Sequence, residues 1–174
     1  MTSYRRNLVP GGSYFFTLAI ADRQSDLLVR HADTLKQAIH VEKQQHPFSV
    51  LALVILPDHL HAIWRLPEGD CDYSNRWRRI KSAFSRALPK DEDLSQSRAQ
   101  KGERGIWQRR FWEHTLRDEH DMQVHCDYIH FNPVKHGHAG RVVDWPHSTF
   151  HAYVERGVYL PDWGGTDASI DGDD

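Results

Sequence analysis

The sequence predicts an α+β fold, a ferredoxin-like antiparallel sheet with helices packed on one side. Three observations lead there. The 174 residues suffice for one buried core and are too few to divide safely into two domains. Strand-like and helix-like hydrophobic patterns follow one another in the order β, α, β, β, α, β, α. Six Trp, six Tyr and seven Phe supply large core pieces, whereas Cys71 and Cys126 alone make no disulfide framework or zinc ribbon.

The elements can be justified in order. Tyr14 to Ile20, rich in aromatic and β-branched residues after the Pro10, Gly11, Gly12 turn, reads as the first strand. A helix over Ala32 to Gln45 stops before Pro47, whose ring disfavours helical geometry in the residue before it. Phe48 to Leu56 reads as a continuous apolar strand buried in the sheet centre. Pro57 and Asp58 turn it into an antiparallel partner, His59 to Leu66. Ser74 is the expected N-cap of a helix with Trp77, Ile80, Phe84 and Leu88 on its apolar face and Arg78, Arg79, Ser82 and Arg86 opposite. Pro89 to Gly105 lacks periodicity and reads as a long loop. Phe111 to Arg117 follows as a strand, then a helix from Glu119 to Phe131 ended by Pro133, and a last short element within Ser148 to Val154.

Composition narrows the function. The longest apolar run, the seven residues Val50 to Leu56, is far short of the roughly 18 needed to span a bilayer. The N-terminus lacks the apolar segment and small-residue cleavage site of a secretion signal, so a cytoplasmic protein is expected. The formal net charge of −2 conceals an asymmetry. Between Asn75 and Arg117 there are 12 Lys and Arg against 5 Asp and Glu, interleaved with Trp and Phe. That is the composition of a surface that follows phosphates and stacks bases, or of a solvated helix face beside ordinary core aromatics. Five acids and no basic residue lie from Asp162 onward. The expected organisation is one domain over 1–163 and a disordered acidic tail over 164–174.

The chemistry begins at PDHLHAIWR, Pro57 to Arg65. His59 and His61 stand two apart in a strand, so both imidazoles point to one face and form half of a metal site. A helical projection of Glu119 to Asn132 at about 100° per residue puts Met122, Cys126 and Ile129 on an apolar stripe. Asp121, His125, Tyr128 and Asn132 fall on a polar strip beside it. A phenol with a pKa of about 10 is a poor nucleophile at neutral pH unless a base or a metal assists. The histidine pair is the evident source of that metal.

In the order PDHLHAIW, IKSAFSRAL, GIWQRRFWEH, DYIHFNPVKHG and WPHSTF, the chain resembles the REP-associated tyrosine transposases, a branch of the single-tyrosine HUH nucleases. The resemblance runs from SYRRNLVPGGSYFFTLAIADR to about Trp163. It implies the HUH version of the ferredoxin-like fold, with His59 and His61 as metal ligands, Leu60 turned into the core and Tyr128 as nucleophile. Asn132 matches the third ligand position, although a residue before proline can also serve as a helix cap. Two imidazoles and an amide oxygen suit Mg²⁺ or Mn²⁺. The implied reaction is cleavage and rejoining of single-stranded DNA at a palindromic, REP-type hairpin through a 5′-phosphotyrosine, without ATP.

Under that resemblance the basic residues acquire roles. Arg78, Arg79, Lys81 and Arg86 are expected to contact the hairpin, Arg109, Arg110 and Lys135 the cleaved strand, and Arg5 and Arg6 further DNA. Trp145, with Trp107 and Trp112 as further candidates, is expected to stack unpaired bases. No role falls to His114, His130 or His136. The enzyme is expected to act at the nucleoid as a monomer, a dimer being the alternative. Two rival readings remain at this level: a metal-dependent hydrolase whose nucleophile is water, and a hairpin-binding protein without catalysis.

Overall fold

The computed structural model describes residues 5–90 and 96–164. Apart from Gly164, the acidic tail lies outside the described residues, as does the segment 91–95 of the expected loop. Four strands, β1 (Ser13–Ala19), β2 (Ser49–Ile55), β3 (His59–Arg65) and β4 (Trp112–Thr115), form one antiparallel sheet in the order β2-β3-β1-β4. The helices are α1 (Leu27–Arg30), α2 (Ala32–Gln45), α3 (Tyr73–Ala87), α4 (Gln96–Gln100), α5 (Glu119–Lys135) and α6 (Phe150–Glu155). β1 enters after a turn in which Gly11 adopts a φ of 68°, a conformation costly for residues with a side chain.

Strand alternation divides the core. Tyr14, Phe16 and Leu18 of β1 and Leu60, Ala62 and Trp64 of β3 face α2 and α3, which supply Leu35, Ile39, Trp77, Ile80 and Phe84. These two crossover helices are the expected layer on one side of the sheet, where Trp64 of β3 stacks on Trp77 of α3 at 3.9 Å between ring centroids. α5 lies across the other face. Its Cys126, Tyr128 and Ile129 pack on Phe15, Val54 and Ile63. Because His59 and His61 share the Ile63 side of β3, the sheet itself points the histidine pair at the tyrosine helix.

Several boundaries depart from the sequence reading. β2 is an edge strand rather than a central one, and its outer edge is covered by the chain near its C-terminal end: the Ile55 amide donates to the His147 carbonyl at 2.9 Å and the Leu53 amide to Thr149 Oγ1 at 2.9 Å. Such cover satisfies backbone groups that an apolar edge would otherwise expose. The N-cap of α3 is Asp72, which accepts from the Asn75 amide, and not Ser74. The expected loop contains α4. α5 continues through Pro133 to Lys135, since proline near a helix end forfeits only the one bond its missing N–H would make. Asn132 therefore sits inside the helix, with its side chain fully buried, and is not a cap.

Candidate active site

His59 and His61 are 2% and 1% exposed, and their ring centroids lie 5.0 Å apart. Each has its Nδ1 engaged. His59 Nδ1 is 2.7 Å from Asp58 Oδ1, and His61 Nδ1 is 2.8 Å from Oγ1 of Thr17, its directly paired neighbour on β1. Both Nε2 atoms are buried without a hydrogen-bond partner. Burial first, and then the charges of His59 and His136, hold the His61 pKa well below the ordinary histidine range, so its ring is neutral. A neutral imidazole with Nδ1 anchored and Nε2 free is the form that ligates a metal.

Tyr128 closes one side of this site. Its ring lies 5.3 Å from His61 and 6.0 Å from Phe15, and only 3% of the residue is exposed. Lys135, two turns on, holds Nζ 3.4 Å from Tyr128 Oη. Asn132, one turn after the tyrosine, is buried with neither Oδ1 nor Nδ2 hydrogen-bonded. Orphaned buried polar atoms are costly; His59 Nε2, His61 Nε2 and Asn132 Oδ1 have the lone pairs that a cation needs, whereas Asn132 Nδ2 is a donor only. The sequence reading gave His136 no role, yet its ring lies 5.2 Å from His59. From there a series of rings leads outward through His138 to Trp145, with centroid spacings of 6.2 and 5.7 Å.

A second group with metal-ligand chemistry went unnoticed in the sequence. Candidate ligand atoms of His114, Asp121 and His125 all lie within 4.8 Å of one another. They are already committed to one another. Asp121 Oδ2 accepts from His114 Nε2 and from the Arg117 amide, both at 2.9 Å, while His125 Nδ1 donates to the Asp121 carbonyl at 2.7 Å. Burial alone would raise the Asp121 pKa, but these donors hold it at about 2. The network fastens the start of α5 to β4. His125 Nε2 is also buried without a partner, but His114 Nε2 and Asp121 Oδ2 are engaged with each other, so His59 and His61, both with Nε2 unengaged, are the better metal candidates.

The basic residues sort into tied and free. Arg6 is drawn inward, with Nη1 2.7 Å from Glu113 Oε2 and its guanidinium 3.9 Å over Phe111. Arg79 chelates the buried carboxylate of Glu42. Lys81 donates to the Gln108 carbonyl, Arg86 to Ser82, and Arg109 to Glu103 and Ser97. Arg5, Arg78 and Arg110 are exposed with no ionic or hydrogen-bonded partner among the described residues. Arg78, Lys81, Arg86, Arg98, Arg104 and Arg109 line a cavity of about 650 Å³ on the α3 side of the sheet. Arg98 and Arg104 were missed in the sequence because they fall in the aperiodic stretch. Trp145 donates Nε1–H to the Ile55 carbonyl and is half-buried, whereas Trp107 is a core residue.

A sheet that aims two imidazoles at a tyrosine on a covering helix defines a class of DNA strand transferases, and the chain belongs to that class: the family model described as "Transposase IS200 like" matches residues 9–132, which include His59, His61, Tyr128 and Asn132. Within it the chain falls among the REP-associated tyrosine transposases. It is 47% identical over 165 residues to the REP-associated tyrosine transposase of Escherichia coli K12, covering 95% of this chain and 92% of that one. It is 44% identical over 175 residues to a Haemophilus influenzae protein provisionally given the same name, covering 99% of each. A solved REP-associated tyrosine transposase bound to a REP hairpin superposes with a TM-score of 0.88 at 44% identity, over 100% of this chain and 98% of that one. No described helix is long and apolar enough to cross a membrane.

Proposed function

We propose that this transposase is a metal-dependent endonuclease of single-stranded DNA that cleaves and rejoins strands beside REP-type hairpins through a 5′-phosphotyrosine. The observation that carries the reading is the packing of Tyr128 against His61, beside two imidazoles whose Nε2 atoms have no hydrogen-bond partner. The hairpin bound to the similar solved transposase supports the substrate class.

His59, His61 and Asn132 would hold Mg²⁺ or Mn²⁺, which when bound neutralises charge on the scissile phosphate. Tyr128 Oη attacks phosphorus in line. A P–O(Tyr) bond forms, the P–O3′ bond breaks, the phenolic proton passes to solvent and the departing 3′ oxygen takes one up. The phosphoester is conserved, so the 3′-OH can reverse the step without ATP. Phe15 and His61 orient the phenol, and Lys135 stabilises negative charge on Oη.

Arg78, Lys81, Arg86 and Arg109 line the cationic surface assigned to the hairpin stem. Arg5 and Arg110 extend it, while Arg6 and Arg79 serve mainly by bracing β4 and α2. Unpaired nucleotides stack along the rings of His138 and Trp145, which lead out from the site. Because one chain supplies both the histidines and the tyrosine, a monomer is sufficient, acting in the cytoplasm at the nucleoid.

The test is cleavage of a REP-type hairpin carrying single-stranded flanks against a fully paired duplex of the same sequence, with and without chelator. The reading requires cleavage of the flanked hairpin alone, restored by Mg²⁺ or Mn²⁺ after chelation. Equal cleavage of both substrates, or indifference to chelation, overturns it.

A further inference from the structure

The two imidazoles of the site are held by different chemistry. His61 Nδ1 meets the hydroxyl of Thr17 at 2.8 Å, a group that can donate or accept, so this contact leaves the tautomer of His61 open. His59 Nδ1 meets a carboxylate, Asp58 Oδ1, at 2.7 Å. An ionised carboxylate only accepts, so the proton must sit on Nδ1 and the Nε2 lone pair is left for the site. The second carboxylate oxygen is also occupied: Arg23 Nε donates to Asp58 Oδ2 at 2.6 Å. Arg23 stands in the connection after β1, far from the histidine strand in sequence.

We infer that Arg23 and Asp58 act together as a tautomer lock on His59, positioning residues that keep its Nε2 unprotonated and aimed at the cation. The inference rests on the reading of His59 as a metal ligand. It goes beyond a simple carboxylate contact because it assigns a part to Arg23, whose guanidinium bonds to Asp58 rather than to the histidine.

The consequence is specific to the pair. In Asp58→Asn the side chain keeps its shape but gains an NH₂ group. Arg23 still points a donor at one end of that amide, which draws the amide oxygen toward Arg23 and turns the NH₂ toward His59 Nδ1. His59 must then accept at Nδ1, and its proton moves to Nε2, where it blocks ligation. In Asp58→Asn/Arg23→Met that orienting donor is gone. The amide can rotate, present its oxygen to Nδ1–H and restore the ligating tautomer. A second substitution should therefore repair the first.

Two readouts test this without activity. Long-range ¹H–¹⁵N spectra of metal-free, histidine-labelled protein report the tautomer directly, the His59 signals being those missing from His59→Gln. Loss of the free Mn²⁺ electron paramagnetic resonance signal reports binding. The wild type should show Nδ1–H at His59, as should Arg23→Met, whose carboxylate still accepts. Asp58→Asn should show Nε2–H and bind Mn²⁺ about tenfold or more weakly, the usual scale for loss of such an outer partner. The double variant should return to Nδ1–H and recover most of that loss. Retention of Nδ1–H in Asp58→Asn, or a double variant no better than the single one, overturns the lock. If the tautomers respond as described while the wild type binds no Mn²⁺, the lock is supported and the metal reading of the site fails.

Discussion

Lys135 Nζ lies 3.4 Å from Tyr128 Oη and 4.8 Å from the centre of the same ring, so one ammonium faces both the phenolic oxygen and the π-cloud of the proposed nucleophile. The two residues are seven apart on α5, and the helix reaches Lys135 only because it continues through Pro133. A cation at this place stabilises the charge that appears on Oη when its proton leaves. Lys135→Met should therefore slow single-turnover cleavage by roughly 10- to 100-fold while hairpin binding changes little. Loss of binding with an unchanged cleavage rate would instead make Lys135 a phosphate contact.

The division of arginines into tied and free gives a paired prediction. Arg78, exposed on α3, should when changed to Ala weaken hairpin binding and lower the salt dependence by about one counterion. Arg79→Ala should instead lower unfolding free energy by about 1–2 kcal/mol, because the buried Glu42 carboxylate loses its bidentate partner and keeps, among the described residues, His46 alone. Salt-titrated binding and denaturant unfolding of the two variants check both halves. Indistinguishable effects would contradict the division.

A pH dependence follows from His130. This ring is fully buried between Thr149 Oγ1 at 2.8 Å and Tyr159 Oη at 3.2 Å, and burial, followed by the charge of His151, lowers its pKa to about 4. The unfolded chain takes up its proton at a pKa of about 6.5, the folded chain only at much lower pH. Its stabilising contribution is thus present above the unfolded value and lost as pH falls toward the folded one. Between pH 7 and pH 5 this group alone should cost about 2 kcal/mol. His130→Gln should be less stable at pH 7 yet lose less on acidification. Parallel pH profiles for the two proteins would refute the assignment.

Much of this was legible in the sequence, for local reasons. α2 matches its expected bounds because Pro47 stops a clear helical period, and His59 and His61 share a face because strand alternation allows nothing else. Tyr128 meets His61, and Asn132 follows it one turn later on the same helix by helical spacing. What was not legible depends on distant partners. Nothing near β2 announces that residues 147–149 will cover it as an edge, and the apolar run therefore read as a central strand. Arg6 and Arg79 looked like surface charges until Glu113 and Glu42 were brought under them. The links of Arg23 to Asp58 and of Thr17 to His61 likewise join segments far apart in the chain. Pro133 misled in a different way, since a residue that usually ends a helix here lies inside its last turn.

The central claim is that Tyr128 itself forms the bond to DNA. The most direct measurement is incubation with a 5′-labelled and then a 3′-labelled flanked hairpin, denaturing electrophoresis, and mass spectrometric mapping of any nucleotide-linked peptide. The account predicts a covalent species carrying only the 3′-side label, mapped to Tyr128, and its absence from Tyr128→Phe protein that still binds the hairpin. Cleavage that leaves a free 5′-phosphate with no linked peptide, or an adduct that survives in Tyr128→Phe, would contradict it.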